Sequence, residues 1–339
     1  MKLFRLVLIL LPLSLASQNS KTIQTMAFGS CSDQNKDQSI LYKVVGKHPD
    51  LFIYLGDNIY GDTHDMDVLR SKYDMLGGKA EHQALRQECE VLATWDDHDY
   101  GKNDAGKKYE MKKESKALFL DFWKEPGNSS RYAHDGIYHS EYYGSGDEIV
   151  QVILLDTRSF RTRLKYSYLR LIKYKNSYRP NFSKKATILG EQQWLWLEEE
   201  LKKPASIRII ASSNQFAHEY NGYESWTNFP LEQERLLQLI QSSQANGVIC
   251  ISGDVHWGEI SKLENSYTYP IYDVTSSGLT QTWHKTEPNS NRIGEVIPQS
   301  NFGIIQIDWE ANQLELQIYD EHDSLRARTL LNFKDLQFD

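Results

Sequence analysis

Leu51-Phe52-Ile53-Tyr54-Leu55-Gly56-Asp57-Asn58-Ile59-Tyr60 is a short apolar run that stops on a glycine, an acid and an amide. A run of this length, bounded by turn residues, reads as a strand buried on both faces. The same layout recurs along the chain. Ile23 to Phe28 runs into Gly29-Ser30-Cys31-Ser32, and Val91 to Trp95 into Asp96-Asp97-His98-Asp99. Ile149 to Leu155 runs into Asp156-Thr157-Arg158, and Ile207 to Ala211 into Ser212-Ser213-Asn214. Val248 to Ile251 runs into Ser252-Gly253-Asp254-Val255-His256. Helical apolar spacing falls between them, over Ser39 to Lys47, Met66 to Met75, Tyr109 to Lys124, Glu191 to Lys202 and Leu231 to Gln241. Alternating strands and helices predict an α/β fold. The tail differs: Phe302 to Trp309, Gln313 to Tyr319 and Leu325 to Phe333 predict antiparallel strands, with Ala311-Asn312 in the first turn.

In open α/β sheets ligands bind beyond the carboxyl ends of the strands. Those ends carry Cys31, Asp57, Tyr60, Asp97, His98, Asn214, Asp254 and His256. Singly, an acid there is a turn former or helix cap, and a lone histidine is a structural residue. Together they offer a thiol, carboxylates and imidazoles that converge if the strands are neighbours. Asp57 can bridge two cations, which in two-metal hydrolases lie about 3.5–4 Å apart. Tyr60, three residues later, can reach the same ion as a phenolate. Three acids surround His98, a crowding that needs a cation to neutralise it. His98 itself suits proton donation to a leaving oxygen or polarisation of a phosphoryl group. Asp254 and His256, two residues apart, face the same way if the backbone is extended. Cys31 is the soft ligand, whereas Cys89 and Cys250 read as small buried residues.

Composition bounds the rest. The 339 residues carry 38 Lys+Arg against 46 Asp+Glu, a net charge of −8. That acidic balance argues against a dedicated nucleic-acid binder, which needs a basic face. Residues 1–20 read as a Sec-type signal peptide: Lys2 and Arg5 flank the apolar run Leu6 to Leu15, and Ser14-Leu15-Ala16 is a small-x-small cleavage pattern. The run is shorter than the roughly 20 residues a span requires, so no stable membrane anchor is expected. A periplasmic or extracellular destination follows. Residues 21–339 read as one catalytic domain. Within it, residues 161–188, rich in Tyr, Lys and Arg, read as a solvated surface excursion.

The motifs Phe28-Gly29-Ser30-Cys31-Ser32, Gly56-Asp57-Asn58-Ile59-Tyr60, Trp95-Asp96-Asp97-His98-Asp99, Asp156-Thr157-Arg158 and Gly253-Asp254-Val255-His256 occur in that order. With Gly190-Glu191-Gln192-Gln193-Trp194 and Thr275-Ser276-Ser277-Gly278, they make the chain resemble the alkaline phosphatase D (PhoD-like) phosphatases of the calcineurin-like metallophosphoesterase superfamily. The resemblance spans about residues 25–320. It implies a four-layer α/β/β/α sandwich. It implies Fe(3+) held by Cys31, Asp57, Tyr60 and His256, and Ca(2+) held by Asp57, Asp97, Asn214 and Asp254. His98 matches the superfamily's histidine near the phosphate. Arg158 or Arg161 would contact substrate phosphate, and Arg158 joins His98 and Asp57 in the expected catalytic set.

The expected activity is hydrolysis of a phosphate ester, monoester or diester, by a metal-bound hydroxide at a dinuclear site, in a monomeric enzyme. The competing reading is a catalytically inactive calcium- or carbohydrate-binding surface protein on the same scaffold, suggested by eight Trp and twenty Tyr. A passive binder has no need of acids and histidines gathered at strand ends.

Overall fold

Leu51, Ile53 and Leu55 enter one hydrophobic cluster, while Phe52 and Tyr54 between them enter another. The two-residue period of a strand puts neighbours on opposite faces, so this strand is covered on both sides. The same sorting separates Ile209 from Ile210, and Ile249 and Ile251 from Val248 and Cys250.

The computed structural model describes residues 21–168 and 174–338. From the first described residues the chain runs β1 (Thr25–Gly29), α1 (Ile40–Val45), β2 (Leu51–Leu55), α2 (Met66–Gly77), α3 (Ala80–Glu88), β3 (Glu90–Thr94), α4 (Asp97–Tyr100) and α5 (Lys112–Phe122). It continues through β4 (His139–Tyr143), β5 (Val150–Leu154), β6 (Lys165–Tyr166), β7 (Tyr178–Arg179), α6 (Gly190–Leu201), β8 (Ile207–Ala211) and α7 (Pro230–Ser243). The remainder is strand: β9 (Val248–Ser252), β10 (Gly258–Leu263), β11 (Ile271–Ser276), β12 (Arg292–Ile297), β13 (Asn301–Asp308), β14 (Gln313–Asp320) and β15 (Leu325–Asn332).

One six-stranded sheet has the order β15-β14-β13-β1-β2-β3, and a seven-stranded sheet has the order β12-β10-β11-β9-β8-β5-β4. Both are mixed. β1, β2 and β3 run parallel, as do β5, β8, β9 and β11. The inner faces meet through Phe28, Ile53, Val152, Ile209, Ile251 and Ile305. The first sheet's outer face packs on α1, α2, α3 and α5 through Phe52, Leu41, Tyr73 and Leu85. The second sheet's outer face packs on α6 and α7 through Ile210, Trp194 and Leu236. The result is the four-layer α/β/β/α sandwich, with both sets of parallel strand ends opening on one rim.

α3 escapes a reading of apolar spacing because only His82 and Leu85 of its residues are buried. β10 and β11 escape it because they bury Glu259, Ser261, Asp273 and Thr275. Asp273 accepts hydrogen bonds from the backbone N–H groups of Phe216 and Ala217 and from Ser252. It pins the loop after β8 to the rim. The tail strands fall where the sequence predicts, and Asn312 takes the left-handed turn conformation at φ 53. Cys31, Cys89 and Cys250 are all free thiols. The signal-peptide reading of residues 1–20 lies outside the described residues. No helix among the described residues is long and apolar enough to cross a membrane.

His82 makes a testable contribution to stability. Its ring is 1% exposed, its Nδ1 lies 3.2 Å from the Tyr54 hydroxyl, and it packs on Phe122 and Trp123. Burial, and then Arg86, push its pKa from 6.5 down to about 4. The folded state therefore prefers the neutral ring. Its stabilisation is complete above pH 6.5 and is lost as pH falls from 6.5 to about 4, at roughly 1.4 kcal/mol per pH unit. Denaturant unfolding of wild type and His82→Gln across this window should show the wild type losing the larger share of stability. Parallel pH profiles would refute the assignment.

Candidate metal centre

Parallel strands deliver their following loops to the same rim, and two glycines let those loops touch. Gly56 follows β2 at φ +102, and a Cβ there would meet Asp96 at 2.6 Å. A Cβ on Gly253, after β9, would meet the Ser30 Oγ at 2.4 Å. The loops cross-link through backbone hydrogen bonds from Cys31 to Gly56, Ser32 to Asp57 and Gly253 to Ser213.

Cys31, Asp57, Asp254 and His256 all hold left-handed backbone, at φ 61, 49, 74 and 64. Such conformations cost energy in non-glycine residues and gather at functional sites. They also correct one expectation: Asp254 and His256 reach the same cavity from a tight loop, not from extended backbone.

The structure brings most of the expected ligands together. Candidate ligand atoms of Cys31, Asp57 and His256 lie within 4.8 Å of one another, and so do those of Asp57, Asp97 and His98. Asp96, Asp97 and Asp254 form a third such group, and Asp97, Asp104 and Glu224 a fourth. Asp57 belongs to two groups and Asp97 to three. Tyr60 places its hydroxyl 3.2 Å from His256 Nε2. Asn214 is buried, its amide nitrogen without a hydrogen-bond partner. A cavity of about 220 Å³ opens onto Asp57, Asp97, His98, Asp254 and His256, with Trp257 and Trp283 in its wall.

The chemistry of these donors fits cations. Burial pushes the Cys31 thiol up to about 12, against hydrogen bonds with Ser277 and Ser30. Burial and the neighbouring Cys31 and Asp97 hold the Asp57 carboxyl well above the usual range. Burial and the acids Asp96, Glu224 and Asp97 do the same to Asp254. One oxygen of Asp96 and one of Asp97 are buried without a hydrogen-bond partner. Carboxylates stacked against each other ionise together only when a positive charge joins them.

His98 behaves differently. Burial alone would lower its pKa, but a hydrogen bond to Asp62 and the charges of Asp57 and Asp97 outweigh it and raise it to about 10. The Asp62 carboxylate lies 2.7–2.8 Å from His98 Nδ1. Nδ1 is thus occupied, and only Nε2 remains for a substrate.

Arg158 corrects a second expectation. Its side chain is fully buried beneath the cavity, ion-paired with Asp96 and Glu224 and 3.9 Å from Asp97. It lies among the acids and is not one of the residues lining the cavity. Arg161 is equally committed, to Glu224 at 2.9 Å and to the carbonyls of Asp104 and Ala105. Of the stretch expected as a surface excursion, the described residues 161–168 and 174–188 are not all solvated: Arg161, Leu164 and Tyr178 are buried, and Tyr178 borders the cavity. Asp62, Asp104 and Glu224 are functional candidates that spacing does not reveal. Asp62 had a signal, lying five residues past Asp57 in one loop. Glu224 had none.

A PhoD-like phosphatase family model matches residues 26–289. Alkaline phosphatase D of Bacillus subtilis (strain 168) is 25% identical over 281 residues, covering 70% of this chain and 47% of the relative. The chain therefore spans about half the length of that curated relative. A solved structure of PhoD superposes with a TM-score of 0.70 at 19% identity, covering 92% of this chain and 72% of the other. A dimetal phosphatase from Danio rerio superposes at 0.59 and 15% identity, covering 92% of this chain and 100% of the other. These likenesses extend to the fold.

Proposed function

The chain belongs to the PhoD-like phosphatase family, and from that membership we propose that it is a metal-dependent phosphoric ester hydrolase with a dinuclear centre. One observation carries the proposal: the Asp57 carboxylate is common to the Cys31–Asp57–His256 and Asp57–Asp97–His98 groups. A carboxylate so placed would serve both ions. Cys31, Asp57, Tyr60 and His256 would hold the first, and their thiolate and phenolate suit Fe(3+). Asp57, Asp97, Asn214 and Asp254 would hold the second, and their oxygens suit Ca(2+). Bound there, the pair would supply Lewis acidity, activating a water and neutralising charge on phosphoryl oxygens.

The chain's own groups do the rest. Asp62 holds His98 in one orientation through Nδ1 and favours its protonated form. His98 Nε2 then gives its proton to the departing oxygen. Arg158 keeps Asp96, Asp97 and Glu224 in place. Trp257 and Trp283 wall the cavity. Residues 1–20 would direct export by a Sec-type route, to the periplasm or outside the cell.

The test uses purified protein and a chromogenic phosphate monoester beside its matching diester, with and without added calcium, and after chelation. Turnover that calcium stimulates and chelation abolishes is expected. His98→Ala should lower kcat by roughly 10²–10⁴-fold, with the larger loss on alkyl esters, whose leaving oxygen needs the proton most. Absence of turnover with iron and calcium bound would overturn the proposal and favour a calcium-binding protein without catalysis.

A further inference from the structure

Beside the candidate metal centre lies a second cavity of about 240 Å³. It shares two lining residues with the first, Asp104 and Tyr178. Its chemistry is opposite. Lys107, Lys108, Arg161 and Arg163 line it against one acid, Asp104, in a chain whose net charge is −8.

The acid is already engaged, since the Tyr178 hydroxyl donates a hydrogen bond to the Asp104 carboxylate. Arg161 forms the floor: its side chain is 3% exposed and paired with Glu224 from outside the cavity, and its Nε is buried without a hydrogen-bond partner. Lys107, Lys108 and Arg163 are exposed, and no carboxylate among the described residues pairs with any of them. One wall is aromatic. The Arg163 guanidinium sits 5.5 Å from the centre of the Tyr166 ring, which is 5.2 Å from that of Tyr178. Unpaired cations at the mouth of a concave site raise the local concentration of anions. Arginine in particular grips phosphate-like oxyanions.

We infer that this cavity is a subsite for a second anionic phosphoryl or phosphonyl group on the same substrate molecule, so that the enzyme prefers esters carrying two such groups. The Asp104–Tyr178 pair is the partition between the group that reacts and the group that is held. The inference rests on the hydrolase reading only for what occupies the neighbouring cavity.

The test is designed to separate the two. Butane-1,4-bisphosphonate and butylphosphonate carry C–P bonds that hydrolysis does not cleave, so calorimetric binding to the calcium-loaded protein reports affinity without turnover. The bisphosphonate should bind about tenfold more tightly than the monophosphonate. In a Lys107→Gln/Arg163→Gln variant that advantage should vanish, while turnover of a simple chromogenic monoester stays at the wild-type rate. Both replaced side chains are exposed, so the fold is retained. Equal affinities in the wild type, an advantage that survives in the variant, or no binding of either ligand would each overturn the subsite. Tight bisphosphonate binding without any ester turnover would instead support the subsite and overturn the hydrolase reading.

Discussion

Asp57→Asn is expected to lower turnover by on the order of 10³-fold or more, a loss of about 4 kcal/mol in transition-state stabilisation. The same change should deplete both ions, because Asp57 is the one carboxylate common to the Cys31–His256 and Asp97–His98 groups. An amide keeps the shape of the acid but offers one neutral oxygen where a bridge needs two charged ones. Asn is the informative replacement, since φ at this position is 49 and asparagine tolerates left-handed backbone better than alanine. Burial already holds the Asp57 carboxyl well above its usual range. In metal-free protein, then, the amide mimics the protonated acid, and stability should not fall. Two readouts follow. Metal analysis should show less of the proposed iron and calcium than in wild type, and a thermal shift on adding calcium, expected in wild type, should be absent. A variant with full activity and full metal content would remove Asp57 from the centre.

Arg158→Met carries the second large effect, and it falls on stability. The guanidinium is fully buried and pairs with both Asp96 and Glu224. Burial opposes its charge, but Asp96, Glu224 and Asp97 together hold its pKa well above the ordinary value. Removing one partner of such a network leaves the others buried and unpaired, which costs about 3–5 kcal/mol. The expected result is a fall in Tm of several degrees or more, measured on metal-free protein. Lysine is a poor substitute because a single ammonium cannot span two carboxylates as a planar guanidinium does. A double variant, Arg158→Met with Glu224→Leu, should recover part of the loss, since it removes one stranded acid. A single variant within about 1 kcal/mol of wild type would mean that these acids stay neutral without Arg158.

How far the residues alone could carry the argument differs from place to place. Short apolar runs such as Leu51–Leu55 and Ile207–Ala211 announce buried strands because every residue of both is buried. Chemistry placed immediately after such a run is legible for the same reason: a parallel strand hands its next residues to the rim. Cys31, Asp57, Asp97, Asp254 and His256 stand at such positions. α3 and β11 carry no such signal, since one buries too thin a stripe and the other buries polar residues held by tertiary hydrogen bonds.

By itself the sequence determined the α/β class, the buried strands, the antiparallel tail and the list of strand-end residues. Those depend on local periodicity and on which residue follows which. Only the tertiary structure decided what the donors face. It turned Arg158 inward onto Asp96 and Glu224 and set Asp62 against His98. It set Arg161, Arg163, Leu164, Tyr166 and Tyr178 beside Lys107, Lys108 and Tyr109 around a cationic cavity. Each of these joins residues from separate stretches of chain, and the direction of a buried charge is set by its partners in space, which no local pattern encodes.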